Sequence, residues 1–388
     1  MPPATDDHDP SALTDAVLAA GRRGGLDAVG VTTAEVLEPA RSVLPRRKAS
    51  GLSADMMFTY RNPDRSSDPT RALPGAVSVV AGAVNYRRGD VEAPDGLHGR
   101  VAHYAWTDHY GRLRDALEAA ADVLRAAGYL AQVHADDNHL VDRNVAYRAG
   151  LGWYGKNANL LVPEAGSWFV LGGIITDAPL TPSRTVASDG CGSCRRCIDE
   201  CPTAAIVAPG VVDARRCLAW LVQARGAIPV EFRAALGDRL YGCDECQEVC
   251  PPNLGLDRHS PPPPADAAAD PWIDIAWVLE AEDQQLMARV GRWYLADRNP
   301  DVVRRTALVI LGNLGRGRPE TGPLIDRYLD HPNELLRAHA VWAARRCGLD
   351  QLAERRRDDP SDLVRAEFHG VVEPAVMSTR RDADEQAN

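Results

Sequence analysis

The sequence predicts a multidomain α+β protein, and three observations carry that expectation. Apolar, β-rich runs alternate with amphipathic helical stretches over residues 1–180. Eight of the nine cysteines fall between Cys191 and Cys250. Beyond a proline run at 260–270, "SPPPPADAAAD", a helical pattern recurs.

In chain order, "SALTDAVLAAGRRGG" reads as an amphipathic helix with Ser11 as its N-cap and glycines at its end. "AVSVVAGAVNY" is a β-rich run, and "HYGRLRDALEAAADVLRAAGY" is a long Ala-rich helix leading to a strand, "LAQVHA". "SWFVLGGIIT" is a further buried strand. Together these give an α/β layered domain over 1–180, followed by a cysteine-rich domain over 181–260. Four consecutive prolines are stiff and non-helical, so the run after it is read as a linker.

Within 266–375, "VVRRTALVILGNLG" aligns with "LLRAHAVWAARRCG", and "LVRAEFHGVV" begins a third copy. The matching arginines Arg304, Arg337 and Arg365 follow Pro300, Pro332 and Pro360. Helical units of this length cannot bury a core alone and stack into solenoids; the pattern resembles short HEAT-type repeats. Residues 376–388 read as a disordered tail.

The 388 residues include 25% charged and 45% hydrophobic side chains, an ordinary globular balance. The longest apolar stretch, "AVSVVAGAV", falls far below the roughly 20 residues of a membrane span. "MPPATDDHDP" is acidic and lacks an apolar segment, so no signal peptide is expected and the default location is cytoplasmic. A formal net charge of −10 argues against nucleic acid gripped by the whole surface, while a local basic face stays open.

"CGSCRRCIDECP" spells C-x2-C-x2-C-x3-C-P, the ferredoxin arrangement in which three thiolates wrap one cubane and the fourth reaches its neighbour. Zinc is the bland alternative, but it usually takes two C-x2-C pairs or a Cys/His mixture. "YGCDECQEVCPP" adds Cys243, Cys246 and Cys250, one thiolate short of two clusters. Cys217, displaced by a helical insertion, most simply supplies it. Cys191, Cys194, Cys197 and Cys250 then hold one 4Fe–4S cluster, and Cys201, Cys217, Cys243 and Cys246 the other. Cys347, among apolar neighbours, reads as a core residue. Paired clusters deliver single electrons, and the N-terminal domain is the natural recipient.

Segments at 60–86, 99–117 and 140–168, the last containing "RAGLGWYGKN", resemble the epoxyqueuosine reductases together with both cysteine groups and the helical tail. The resemblance spans roughly residues 10–370 in the family's order. It implies a nitroreductase-like, corrinoid-binding N-terminal domain whose cobalamin is reduced by a ferredoxin-like two-cluster domain. The implied activity is reduction of epoxyqueuosine to queuosine at the tRNA wobble position, with an unidentified electron donor.

The resemblance places the proton donor on Asp136 in "HADDNHLVDR". The family usually follows that Asp with a small hydroxyl residue and a glycine; here Asp137 and Asn138 follow. Asp137 could raise the pKa of Asp136, compete for its role, cap the next helix or signal another substrate. Arg65, Arg143, Gly155, Lys156 and Asn157 are expected to touch cobalamin, Arg143 alternatively forming an ion pair. "GLGWYG" satisfies G-x-G-x-x-G but sits between a helix and an extended run, against a nucleotide site. "DNHLVD" nearly spells a cobalt-ligating D-x-H-x-x-G, but Asp142 replaces the glycine, so His139 reads as a loop residue. Arg225, Arg304 and Arg305 are the expected tRNA contacts. Two competing readings are a corrinoid reductase of small organic molecules, as in dehalogenases, and a two-cluster electron carrier.

Overall fold

The computed structural model describes residues 9–183 and 189–369, so the tail expected at 376–388 lies outside the described residues. The chain divides into two compact units. One comprises the segments up to Val91, His103–Cys217 and Asp244–Ala269; the other comprises Glu92–Ala102, Leu218–Cys243 and the chain from Asp270.

The first unit is built on a four-stranded sheet in the order Ala28–Thr33, Ser78–Asn85, Phe169–Thr176, Ala131–Ala135. Every pairing in it is antiparallel, so the alternation of helix and strand gives an α+β layer rather than parallel βαβ units. Both central strands are buried on both faces, which is why they read as continuous apolar runs. Val80, Val84 and Ile174 join Leu13, Val17, Leu113 and Leu117 of helices Pro10–Gly24 and His109–Ala126 on one face. Val79, Ala81 and Ile175 join Leu37, Leu44, Val145 and Ala146 on the other. Gly82 allows the long helix close: a Cβ there would sit 2.8 Å from Leu117 Cδ2.

Three expectations change here. Asp9, not Ser11, caps the first helix, its carboxylate accepting from the Ser11 amide at 3.0 Å. An aspartate two residues earlier reaches the free amide that Ser11 itself contributes. The cysteine region does not stand apart as residues 181–260. Its loops at 189–217 and 244–269 belong to the sheet unit, where Gln247 Nε2 donates to Ser167 O at 2.9 Å and Asn253 Oδ1 accepts from Ser167 N at 2.9 Å. The proline run is tied down as well: Gly89 N donates to Pro263 O at 2.8 Å.

The second unit has a short sheet in which His98–Val101 lies between Arg239–Tyr241, parallel, and Trp272–Asp274, antiparallel. Among the described residues seven α-helices follow from Ile275, including Asp301–Leu314, Thr321–Leu329 and Glu334–Cys347. Two of the recurrent arginines, Arg304 and Arg337, point inward near the helix starts. Arg337 pairs with Asp359 at 2.9 Å, and Arg304 reaches Asp301 at 3.1 Å and the Ala281 carbonyl at 2.9 Å. Cys347 is buried, its thiol 3.5 Å from the Leu311 carbonyl. Among the described residues no helix is long and apolar enough to cross a membrane.

Candidate active site

Strand Ala131–Ala135 ends at a sharp bend: Asp136 has φ of +57°, in the left-handed region that aspartate tolerates better than most residues. The next residue closes the bend. Asp137 Oδ2 lies 2.7 Å from His134 Nδ1, and its Oδ1 accepts from the His139 amide at 2.8 Å. The His134 and His139 rings lie against one another, tilted by 35° with centroids 4.8 Å apart. Ser66 Oγ donates to the Asn138 carbonyl at 2.8 Å, tying the loop to the helical turn Pro63–Ser66 that carries Arg65.

These contacts push neighbouring carboxyls in opposite directions. Burial raises the Asp136 pKa; Arg114 opposes this and the Asp137 charge adds to it. Burial also pushes Asp137 up, but the His134 and His139 hydrogen bonds and the two rings outweigh it and hold the carboxylate below its ordinary value. Asp142, at the start of helix Asp142–Arg148, is raised well above the ordinary value by burial, then by Asp137 and Asp136, with Arg143 opposing. Asp137 therefore does not cap that helix, whose N-cap is Val141 without a side-chain bond. The sequence reading missed Asp142 and His134. Their spacing around Asp136 was visible, but the closeness of His134 to Asp137, and of Asp142 to Asp137 and Asp136, arises only on folding. His134, Asp137 and His139 offer donor atoms within 4.8 Å of one another, a spacing open to a metal ion, yet both carboxylate oxygens already engage the histidine residues.

Around this loop several buried polar atoms have no hydrogen-bond partner: Arg65 Nε, His134 Nε2, Asn138 Oδ1 and Asn144 Oδ1. Native interiors rarely leave such atoms unsatisfied, and four in one neighbourhood suit a ligand rich in amides. Arg65 and Asn138 thus fit a corrinoid and its amide side chains. Arg143 is exposed at the helix start.

Lys156, Asn157 and Gly155 are placed differently from expectation. The "GKNAN" stretch is the loop of a hairpin between Trp153–Tyr154 and Leu160–Leu161. Lys156 Nζ donates to the carbonyls of Gly192 and Cys194 at 2.6 and 2.8 Å, and Asn157 Nδ2 donates to the Cys246 carbonyl at 3.0 Å. Gly155 is needed for the tight loop itself, since a Cβ would lie 2.6 Å from Asn157 Oδ1. The polar ends of this loop hold cysteine segments rather than a macrocycle.

The first expected ligand set converges. Cys250 is 8% exposed, and its thiol is pushed up to about 12 by burial and then by Cys197, Cys191 and Cys194. Burial, Cys191 and Cys194 likewise raise Cys197. Thiols so crowded ionise together only if a cationic centre takes their charge, so the donor set fits an iron–sulfur cluster. Of the second set, Cys201 Sγ accepts from Ala205 N at 3.2 Å. Cys246 sits in the turn pinned by Asn157, next to Gln247.

The tRNA contacts expected from Arg304 and Arg305 are corrected. Arg305 is 1% exposed and donates to the carbonyls of Leu221, Ala224 and Gly226 at 2.7, 2.9 and 2.6 Å. Arg304 is 7% exposed and engaged as above. Both guanidiniums satisfy backbone oxygens inside the second unit and cannot present themselves to phosphate. Arg225 is half-exposed and paired with Asp297.

Residues 190–253 match the 4Fe-4S double cluster binding domain family, which places the chain among iron–sulfur redox proteins. A Xanthomonas campestris epoxyqueuosine reductase is 35% identical over 88% of this chain and 98% of its own length. A solved epoxyqueuosine reductase with an epoxyqueuosine-modified tRNA-Tyr stem loop superposes with a TM-score of 0.80 at 28% identity, covering 92% of this chain and 97% of that one. A Bacillus subtilis epoxyqueuosine reductase, described with its aspartate-bearing catalytic loop swung out of the active site, matches with the same TM-score and identity over 92% of this chain and 98% of that one. The chain belongs to the epoxyqueuosine reductase family.

Proposed function

We propose that this protein reduces epoxyqueuosine in tRNA to queuosine, using two 4Fe–4S clusters and cobalamin, with Asp136 as proton donor. The observation that carries the reading is the bend after strand Ala131–Ala135, which sets Asp136 at φ +57° beside an Asp137 whose two carboxylate oxygens are taken up by His134 and the His139 amide.

Converting an epoxide to an alkene and water takes two electrons and two protons. Cobalamin, when bound, supplies low-valent cobalt able to attack or reduce the epoxide, chemistry that no side chain offers. Arg65 and Asn138, with their unpartnered polar atoms, would hold it together with Asn144 and Arg143. The departing oxygen needs a proton donor, and burial shifts the Asp136 carboxyl toward its protonated form. Asp142, in the same group of carboxyls, is shifted toward its protonated form by burial and then by Asp137 and Asp136. Asp137, engaged by His134 and His139, fixes the bend and stays charged.

For the clusters, Cys191, Cys194, Cys197 and Cys250 form one ligand set, supported by the crowding of their thiols. Cys201, Cys217, Cys243 and Cys246 form the other, on the sequence spacing alone. Arg225 remains the candidate for phosphate contact.

The test is anaerobic incubation of cluster- and corrinoid-loaded protein, chemically reduced, with a stem loop carrying epoxyqueuosine, followed by nucleoside mass analysis. Queuosine is expected. A fully loaded protein that yields none removes the assignment.

A further inference from the structure

Lys156 and Asn157 are adjacent in one hairpin loop, yet their side chains run to different cysteine segments. Lys156 Nζ holds the carbonyls of Gly192 and Cys194, inside the C-x2-C-x2-C stretch, and Asn157 Nδ2 holds the carbonyl of Cys246. The loop is internally braced: Gly155 N donates to Asn159 O at 2.8 Å, Asn159 N donates to Asn157 Oδ1 at 3.1 Å, and Asn157 is buried. Gly210 N donates to the Lys156 carbonyl at 2.9 Å, fixing the loop from the other side. A rigid loop that grips both motifs through consecutive residues does more than fill space.

We infer that the Gly155–Asn159 loop is the strut that spaces the two clusters, and that the Lys156 ammonium tunes the reduction potential of the cluster held by Cys191, Cys194 and Cys197. This rests on the two-cluster reading above. One-electron reduction makes a cluster more negative by one unit. A cation fixed on a ligand's own peptide stabilises that reduced state, and it is screened less than a mobile surface charge. Lys156 is half-buried and its ammonium is oriented by two carbonyls, so its charge acts from one position. Asn157, being neutral, positions the second segment without contributing charge. Both are positioning residues, since they act through the cysteine loops.

The experiment is an anaerobic, EPR-monitored redox titration of reconstituted full-length protein, with iron counted for each sample. Wild type is expected to hold about eight iron atoms per chain, as two cubanes require. Lys156→Met is expected to retain iron while the midpoint of one cluster moves to more negative potential, and Lys156→Arg, which keeps the charge, is expected to return it toward wild type. Asn157→Leu is expected to lose the second cluster preferentially, its iron falling toward half, with the first cluster's midpoint unchanged. Unshifted midpoints in an iron-replete Lys156→Met protein overturn the tuning role. Full iron and an unaltered second signal in Asn157→Leu overturn the strut. Wild type that fails to bind eight irons instead counts against the two-cluster reading.

Discussion

At the scale of single residues, the chemistry turns on one bend after a strand. Asp136 and Asp137 are covalent neighbours with opposite tendencies because only Asp137 reaches both histidines. Asp136→Asn is expected to keep iron and corrinoid, read from absorbance and metal analysis, while queuosine formation falls by at least a hundredfold, the scale of general acid catalysis at about 10²–10⁴. Since Asp136 must be protonated to act, turnover is expected to decline as pH rises through its pKa. Asp137→Asn removes one influence that raises that pKa, so the falling limb of a single-turnover pH profile should move to lower pH. An unmoved limb would assign the acid elsewhere. Asp136 was named through resemblance, whereas the cysteines were read from their spacing. The roles of Lys156 and Asn157 were not legible, because a polar residue in a familiar stretch can serve a cofactor or a backbone carbonyl, and only folding decides which. The Asp137–Asn138 departure, which had hinted at another substrate, is accounted for locally by the two histidines it binds.

At the scale of elements, the helical region shows why charge in a sequence is a poor guide to a binding face. The helices after Pro300, Pro332 and Pro360 were readable from their repeat, with bounds at Asp301–Leu314, Glu334–Cys347 and Asp362–Ala366. Arg304 and Arg305 were expected to face outward because arginine usually does, yet both are buried. Arg233, in helix Val230–Leu236, is buried too, and forms a two-pronged pair with Glu367, the side chains only 2% and 4% exposed. Glu367→Gln leaves a buried guanidinium without its counter-charge and is expected to destabilise the second unit by about 3 kcal/mol, measured by urea denaturation. Arg337 gives a separate test through pH. Its hydrogen bonds lower the Asp359 pKa, against the opposing effect of burial, so the pair's contribution is present above the ordinary carboxylate range and lost as pH falls through the lowered value. Arg337→Met should therefore lower the melting temperature near neutral pH and flatten its decline on acidification.

At the scale of the whole molecule, the division expected at 180, 260 and 266 gives way to two units that share the chain in alternating pieces. Sequence shows local pattern well, and the strands and long helices accordingly lie where their periodicity placed them. It does not show that Gln247 of the 244–269 loop bonds to Ser167 and Tyr86, because those partners are 80 and 161 positions away. Cys250 is the thiol most dependent on that packing. Cys250→Ala is expected to cut iron from about eight to about four atoms per chain while the other cluster survives.

The alternating division also governs how the molecule can be made. The ribosome releases His98–Val101 long before its neighbour Trp272–Asp274 exists, so an unpaired edge waits through most of synthesis. Ending the polypeptide after Ala269 would strand that edge and the 218–243 segment permanently, and such a fragment should precipitate on expression even though it retains all eight clustered cysteines. Soluble, monodisperse fragment in size-exclusion chromatography would show that the early pieces find another arrangement.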